Sequence, residues 1–190
     1  ALTLALVGAE TGAQHPAKVP SIGYLDAPTL STNAARNEAF RHGLRELGYI
    51  EGKNIVIEYR YAEGKVERLP DLAAELVGLK VDVIVSAGSA NLPAKKASAT
   101  IPIVFANDPD PVGSGLVSSL ARPGGNITGL SLMAPDLDGK RLELLKEAFP
   151  KIGRVAFLWQ SVGAIRPLTE MEAAAKTVKV KLLSLEVRSL

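Results

Sequence analysis

Cysteine is absent from this 190-residue chain, which removes disulfides, thiolate metal sites and cysteine nucleophiles together. That absence does not fix a compartment, because cysteine-free proteins occur in the cytosol and in the bacterial periplasm. Histidine is almost absent too. Of the two present, His15 lies near the amino end and His42 beside Arg41 on an amphipathic stretch. Neither has the neighbours that a catalytic triad or a metal site would use. No Gly-x-Gly-x-x-Gly follows the first strand, and no Walker-type loop occurs, so nucleotide cofactors lack their cradle and none is expected. Net charge is small, +2 from 22 basic and 20 acidic residues, which makes no case for nucleic acid as a partner. The apolar run at the start is far shorter than the ~20 residues of a membrane-spanning helix.

What is present describes a folded protein: 47% hydrophobic and 22% charged residues are ordinary for a globular domain and argue against disorder. The start carries its own signal. Residues 1–9 are apolar, and the polar stretch after them, rich in small residues, resembles the end of a secretory leader with a processing site near Ala13. The alternative is a first β-strand, but nothing after it reads as a turn into a helix.

From residue 19 onward strands and helices alternate. Residues 19–25 read as a strand, and Ser31 or Thr32 as the cap of a helix over 33–47, with Phe40, Gly43, Leu44 and Leu47 on one face. Gly48 stops that helix. A second strand spans 55–61, and a second helix carries Leu69, Leu72, Ala73 and Leu76. A third strand spans 81–85, and the turn Ser86-Ala-Gly-Ser89 opens a third helix through Ala99. The apolar run 103–106 reads as a strand buried on both faces of a parallel sheet. Residues 112–120 are expected to be helical and 126–131 to form a fifth strand. This alternation predicts a doubly wound α/β unit with strand order 2-1-3-4-5 and its switch point between strands 1 and 3. Residues 131–138 follow as a polar connector without helical period. A helix over 139–149, a strand over 154–159, a helix marked by Leu168, Met171, Ala175 and Val178, and a strand over 181–187 then begin a second α/β lobe. The domains are therefore read as 1–17 leader and processing region, 18–131 lobe one, 132–138 hinge connector, and 139–190 the start of an incomplete lobe two. The last strand is expected to be poorly covered and prone to aggregation.

The candidate chemistry is binding. In a sheet of this type ligands sit at the carboxyl ends of the strands. Asn107 and Asp108 lie at such an end, as ligand acceptors or as turn formers. Paired acids such as Asp108 and Asp110 read better as turn residues than as catalysts. Ala87, Gly88, Ser89 and Ala90 bring a helix N-terminus to the same edge, and its amides suit a carboxylate, although Ser89 alternatively only caps the helix. Thr29 and Ser31 offer hydroxyls after the first strand. Trp159, with Gln160 beside it, is either core packing or one wall of a cleft.

A resemblance enters with one long run, Asp108-Pro-Asp-Pro-Val-Gly-Ser-Gly-Leu-Val-Ser-Ser-Leu-Ala-Arg-Pro-Gly-Gly-Asn-Ile-Thr-Gly129. It resembles the signature of ABC transporter substrate-binding proteins of the tryptophan/tyrosine type. Phe40-Arg-His-Gly-Leu-Arg-Glu-Leu-Gly-Tyr-Ile-Glu-Gly-Lys-Asn-Ile55, Lys140-Arg-Leu-Glu-Leu-Leu-Lys-Glu147 and Arg154-Val-Ala-Phe-Leu-Trp159 fit the same family in order. The resemblance implies a periplasmic-binding-protein type I fold of two hinged α/β lobes closing on a small ligand, in this family mainly an aromatic amino acid, although many members carry only a loose sugar-transport label; the missing nucleophile, metal set and cofactor loop argue against an enzyme. It also implies an ABC permease and ATPase at the inner membrane as partners, and a periplasmic location. The ligand residues it implies by position are the strand-end loops 29–31, 87–89 and 107–108. The pose expected there has the ligand carboxylate at the amides of Ser89 and Ala90 and its ammonium at Asn107 or Asp108. Two departures stand out. Gln160-Ser161 replaces the family's Asn-Pro, and family members continue well beyond residue 190. A cytosolic effector domain of the same fold, a non-binding gene fragment and an enzyme on a doubly wound sheet are the rival expectations.

Overall fold

The computed structural model describes residues 18–160 and 166–187; the leader-like residues 1–17, His15 and Ser161 lie outside the described residues. Five parallel strands form the main sheet. They are β1 (Ser21–Asp26), β2 (Val56–Tyr61), β3 (Val83–Ser86), β4 (Ile103–Asp108) and β5 (Ile127–Ser131), in the order β2-β1-β3-β4-β5. This is the order the strand–helix alternation predicts. Helix α1 (Ala34–Glu46) packs on one face, and α2 (Leu69–Gly78) and α3 (Asn91–Ala97) on the other.

Strand β1 divides its side chains between the two faces. Leu25 joins Leu69, Leu72, Leu76, Ile84, Ile103 and Phe105 in the larger core. Ile22 and Tyr24 join Ile57 and Val85 under Phe40 and Leu44 of α1. Period-2 alternation on a central strand produces this division, and full burial of each Leu or Ile contributes about 1.5–3 kcal/mol. The second helix is as its spacing predicts, with Leu69, Leu72, Ala73 and Leu76 all buried. A second, two-stranded parallel sheet pairs β6 (Arg154–Gln160) with β7 (Lys181–Val187). Helices α4 (Ala134–Ala148) and α5 (Arg166–Thr177) cover one side of it through Leu142, Met171 and Ala175. On β7 only Leu182 is even half-buried, as expected for a strand with one face uncovered.

Six expectations are corrected. Neither Ser31 nor Thr32 caps α1: the cap position is Asn33, without a side-chain cap bond. The hydroxyls instead bond one another, Thr29 Oγ1 lying 2.9 Å from Ser31 Oγ and 3.0 Å from Thr32 Oγ1. The residue that α1 buries completely is Asn37, while Leu47 is 75% exposed. Strand β4 alternates: Ile103 and Phe105 are buried, Val104 and Ala106 exposed, because among the described residues no helix covers that part of the second face. Residues 112–120 form turns instead of a helix. The Asp110 side chain captures the Gly113 amide at 2.8 Å, and Gly115 adopts φ +75, so the chain curls locally instead of propagating a helix. The connector is shorter than its composition suggests. Met133 turns the chain at φ 49, and α4 begins at Ala134, with Pro135 placed in the first turn, where proline is tolerated. The third helix is preceded by a single 3-10 turn (Gly88–Ala90) and ends at Ala97, short of Ala99.

Candidate functional site

Strands β1, β3 and β4 all end in a buried polar residue, Asp26, Ser86 and Asp108. Each is tied to an asparagine at the start of a helix. Asn33 Nδ2 donates to Asp26 Oδ2 at 2.8 Å, and the Ala27 amide donates to Asp26 Oδ1 at 2.8 Å. Ser86 Oγ donates to Asn91 Oδ1 at 2.9 Å, and Asn91 Nδ2 donates to the Asn107 carbonyl at 2.8 Å and to Asp108 Oδ2 at 3.1 Å. The loops carrying most of the predicted ligand residues are thus held by buried hydrogen bonds, the support a preformed binding edge needs.

Those bonds change the roles expected of individual residues. Asp108 is buried, and its carboxylate accepts from the Asp110 amide at 2.9 Å, from Ser114 Oγ at 3.4 Å and from Asn91. It is a turn former first. The Gly88 amide donates to Asn107 Oδ1 at 3.1 Å, and the Ala90 amide to the Ala87 carbonyl at 3.1 Å. The expected free amide at Ala90 is therefore corrected, and Ala87 and Ala90 are both buried. Gly88 and Ser89 are exposed at the edge, and Asn107 is half-buried. Trp159 is half-buried, with its Nε1 donating to Ser184 Oγ on β7 at 2.8 Å. The side chain of Gln160 lies outside the described residues. Thr29 and Ser31 help line an open pocket of about 530 Å³, together with Leu30, Ala34, Asn37, Arg41 and Glu63.

Sequence reasoning missed the polar side of α1, from which Asn37 and Arg41 line that pocket. Asn33, Asn37 and Arg41 recur every fourth residue and so share one stripe of α1. Asn37 Nδ2 donates to the Tyr61 hydroxyl at 2.6 Å, and the Arg41 guanidinium carbon lies 5.8 Å from the Tyr59 ring centre. Tyr24, Phe40, Tyr59 and Tyr61 pack with ring centres 5.4–6.1 Å apart. Burial pushes the Tyr61 phenol up to about 12, so it stays neutral and keeps a proton to donate. The legible signal was the i, i+4, i+8 polar spacing on a helix whose apolar face looked sufficient.

Burial also raises the carboxyl of Asp26 above its ordinary 3.8, against the lowering effects of the Ala27 amide, Asn33 and Arg36. A raised folded value means the folded state holds its proton more tightly than the unfolded chain. Stability from this group is therefore complete below pH 3.8 and is lost as pH rises through the folded value. Wild type should gain thermal stability relative to Asp26→Asn as pH falls from 7 toward 4. Identical slopes in the two proteins would contradict this. Asp82, held down to about 2 chiefly by its hydrogen bond from Lys18, titrates below that window and does not mask it.

Among the described residues no group of three His, Asp or Glu side chains could hold a metal ion, and no helix is long and apolar enough to cross a membrane. A parallel sheet with rigid polar strand ends, followed by a second α/β unit, defines a class: the two-lobed binding proteins of periplasmic type I. The chain belongs to the ABC transporter substrate binding protein family, whose pattern it matches over residues 26–190; this is a family of solute-binding proteins, not of enzymes. It is 35% identical over 127 residues to a tyrosine-binding protein of Clostridioides difficile strain R20291, covering 65% of this chain and 36% of that one. A conserved domain protein from Vibrio cholerae superposes with a TM-score of 0.80 at 29% identity, over 90% of this chain and 58% of the other. An ABC domain in complex with L-Trp from Streptococcus pneumonia superposes with a TM-score of 0.76 at 26% identity and the same coverage.

Proposed function

We propose that the chain is the lobe-one portion, with part of lobe two, of an extracytoplasmic solute-binding component of a bacterial ABC importer. The whole protein closes on a small amino acid, preferably aromatic, and delivers it to a membrane permease driven by an ATPase. Family membership over residues 26–190 carries this reading. The tyrosine-binding relative and the L-Trp-bound neighbour support the ligand class. The ligand wall on this side is formed by Thr29, Ser31, Gly88, Ser89 and Asn107, backed by Ala87, Ala90 and Asp108. Trp159 and Gln160, at the end of β6, are assigned to the facing lobe, with the hinge at the turn through Met133 that precedes α4. The leader-like residues 1–17 support export to the periplasm.

Calorimetry on the full-length protein tests the ligand class. L-Tyrosine or L-tryptophan should bind at least tenfold more tightly than L-leucine, and sugars should give no heat. Saturable binding of a sugar alone, or of no amino acid, overturns it. Recovery of the protein only in the cytosolic fraction of its host would remove the export half of the proposal.

A further inference from the structure

Met133 holds a conformation that its place in the chain does not call for. It stands at the cap of α4 with φ 49 and ψ 37, in the left-handed region. Cap residues ordinarily have extended backbone. Among the described residues Glu63, Lys80 and Lys179 also have positive φ without being glycine. Lys80 and Lys179 follow α2 and α5, where a left-handed residue routinely ends a helix, and Glu63 precedes Gly64 in a turn. A left-handed methionine in front of a helix persists only where its surroundings dictate it, and such strain gathers at switch regions.

The surroundings are the exit turn of β4. The Leu132 amide donates to the Asp108 carbonyl at 2.8 Å, and the Ala134 amide to the Pro109 carbonyl at 3.0 Å. The turn thus grips the connector on both sides of Met133. Between these bonds the Met133 amide donates to Ser131 Oγ of β5 at 3.1 Å, and its carbonyl accepts from the Leu137 amide of α4 at 3.3 Å. Asp108 fixes the turn in place, buried and with both carboxylate oxygens engaged. Oδ1 accepts from the Asp110 amide and Ser114 Oγ, and Oδ2 from Asn91 Nδ2. Just before Asp108 the pairing slips. Phe105 stands opposite Gly129 and Asp108 opposite Ser131, so Ala106 and Asn107 together span what Leu130 spans alone. A bulge of this kind re-aims side chains beside binding sites. Asn107 lies in it, with its Oδ1 accepting from the Gly88 amide and its carbonyl from Asn91.

We propose that Asp108 is a positioning residue for lobe closure: its carboxylate fixes the turn on which Met133 pivots and so couples Asn107 to the angle of α4. Rotating α4 about Met133 must stretch the bond from Ala134 to Pro109 or drag the exit turn along. Dragging the turn pulls on Asp108, hence on Asn91 and on the Asn107 carbonyl that shares the same amide. A ligand seated against Asn107 acts on the same bonds from the other end. Such coupling is reciprocal, so whatever holds Asn107 in one setting favours one setting of the hinge. The inference rests on the binding reading above and gives Asp108 no contact with the ligand.

Full-length protein carrying Lys53→Cys and Lys176→Cys, exposed positions on lobe one and on α5, reports the hinge by energy transfer between two dyes. L-Tyrosine is the probe, and calorimetry gives its affinity. Asp108→Asn sets an NH₂ against groups that now donate to the carboxylate. The change in transfer at saturating L-tyrosine should then shrink by at least half. A merely structural role would lower the thermal midpoint and leave that change intact. Met133→Gly removes the steric preference against or for either side of φ zero, and it carries the test if Asp108→Asn does not fold. Both variants should shift the unliganded transfer efficiency. In Met133→Gly the affinity should change at least threefold, rising if the unliganded value moves toward the bound one and falling if it moves away. An unmoved unliganded efficiency, an affinity change without such a shift, or an intact saturating change in Asp108→Asn overturns the coupling and leaves the ligand reading standing. If L-tyrosine gives wild type neither heat nor a change in transfer, the ligand reading falls, and the unliganded efficiencies of the two variants still decide the coupling.

Discussion

Gly129→Ala should destabilise the protein by at least about 3 kcal/mol, a large share of the 5–15 kcal/mol that holds a typical domain together. Gly129 stands opposite Phe105 in the β4–β5 pairing. A Cβ built there would lie 2.1 Å from the Phe105 carbonyl oxygen and 2.4 Å from its ring. The oxygen belongs to the backbone and cannot rotate away. The ring is 2% exposed in the main core, so moving it opens a cavity of the kind that costs about 3–5 kcal/mol when a buried phenylalanine is lost. Sliding β5 instead would disturb a register that already shifts between Phe105 and Asp108. Gly125→Ala is the control: its φ is +70 but no atom lies within 4 Å of the added carbon, so only the left-handed penalty of about 1–2 kcal/mol applies. Urea unfolding at unchanged m value reads both. A Gly129→Ala protein within 1 kcal/mol of wild type would show that β5 does not lie where Gly129 meets Phe105.

The contrast between these glycines indicates how far sequence reading reaches. Strand positions were legible wherever apolar residues alternated between turn signals, and β7 occupies residues 181–187 as read. The stretch 112–120 misled because Leu116 and Val117 are buried as their spacing suggests, yet the segment is held by side-chain-to-backbone bonds that periodicity does not register. For α1 the missing information was polar. Asn33 and Asn37 turn inward because Asp26 and Tyr61 wait for them, and those partners lie 7 and 24 residues away in the chain. Thr29 and Ser31 were visible as hydroxyls after a strand. The asparagines behind them were not, since a lone asparagine in a first turn reads as a cap or a surface residue. Hydrophobic pattern locates the sheet; the chemistry of its rim is written in long-range polar pairs.

Asn91→Leu should lower stability by about 3 kcal/mol, whereas Asn37→Leu should leave it level or raise it. Both asparagines are buried, so area alone predicts similar, mildly favourable exchanges. Their hydrogen bonds decide otherwise. Asn91 accepts from Ser86 and donates to both the Asn107 carbonyl and the Asp108 carboxylate, so its amide has bonds at both ends. Leucine there would leave a hydroxyl, a carbonyl and one oxygen of a buried carboxylate short of a partner, and each such loss costs about 1–3 kcal/mol. At Asn37 the Oδ1 has no hydrogen-bond partner among the described residues, and leucine strands only the hydroxyl of half-buried Tyr61. A double-mutant cycle of Asn91→Leu with Asp108→Asn should give a coupling above 1 kcal/mol, because the neutral amide at 108 tolerates the lost donor better than the carboxylate. Additive effects would mean that Asp108 does not depend on Asn91. The strand ends of β3 and β4 would then lack the brace that keeps Gly88, Ser89 and Asn107 in place for a ligand.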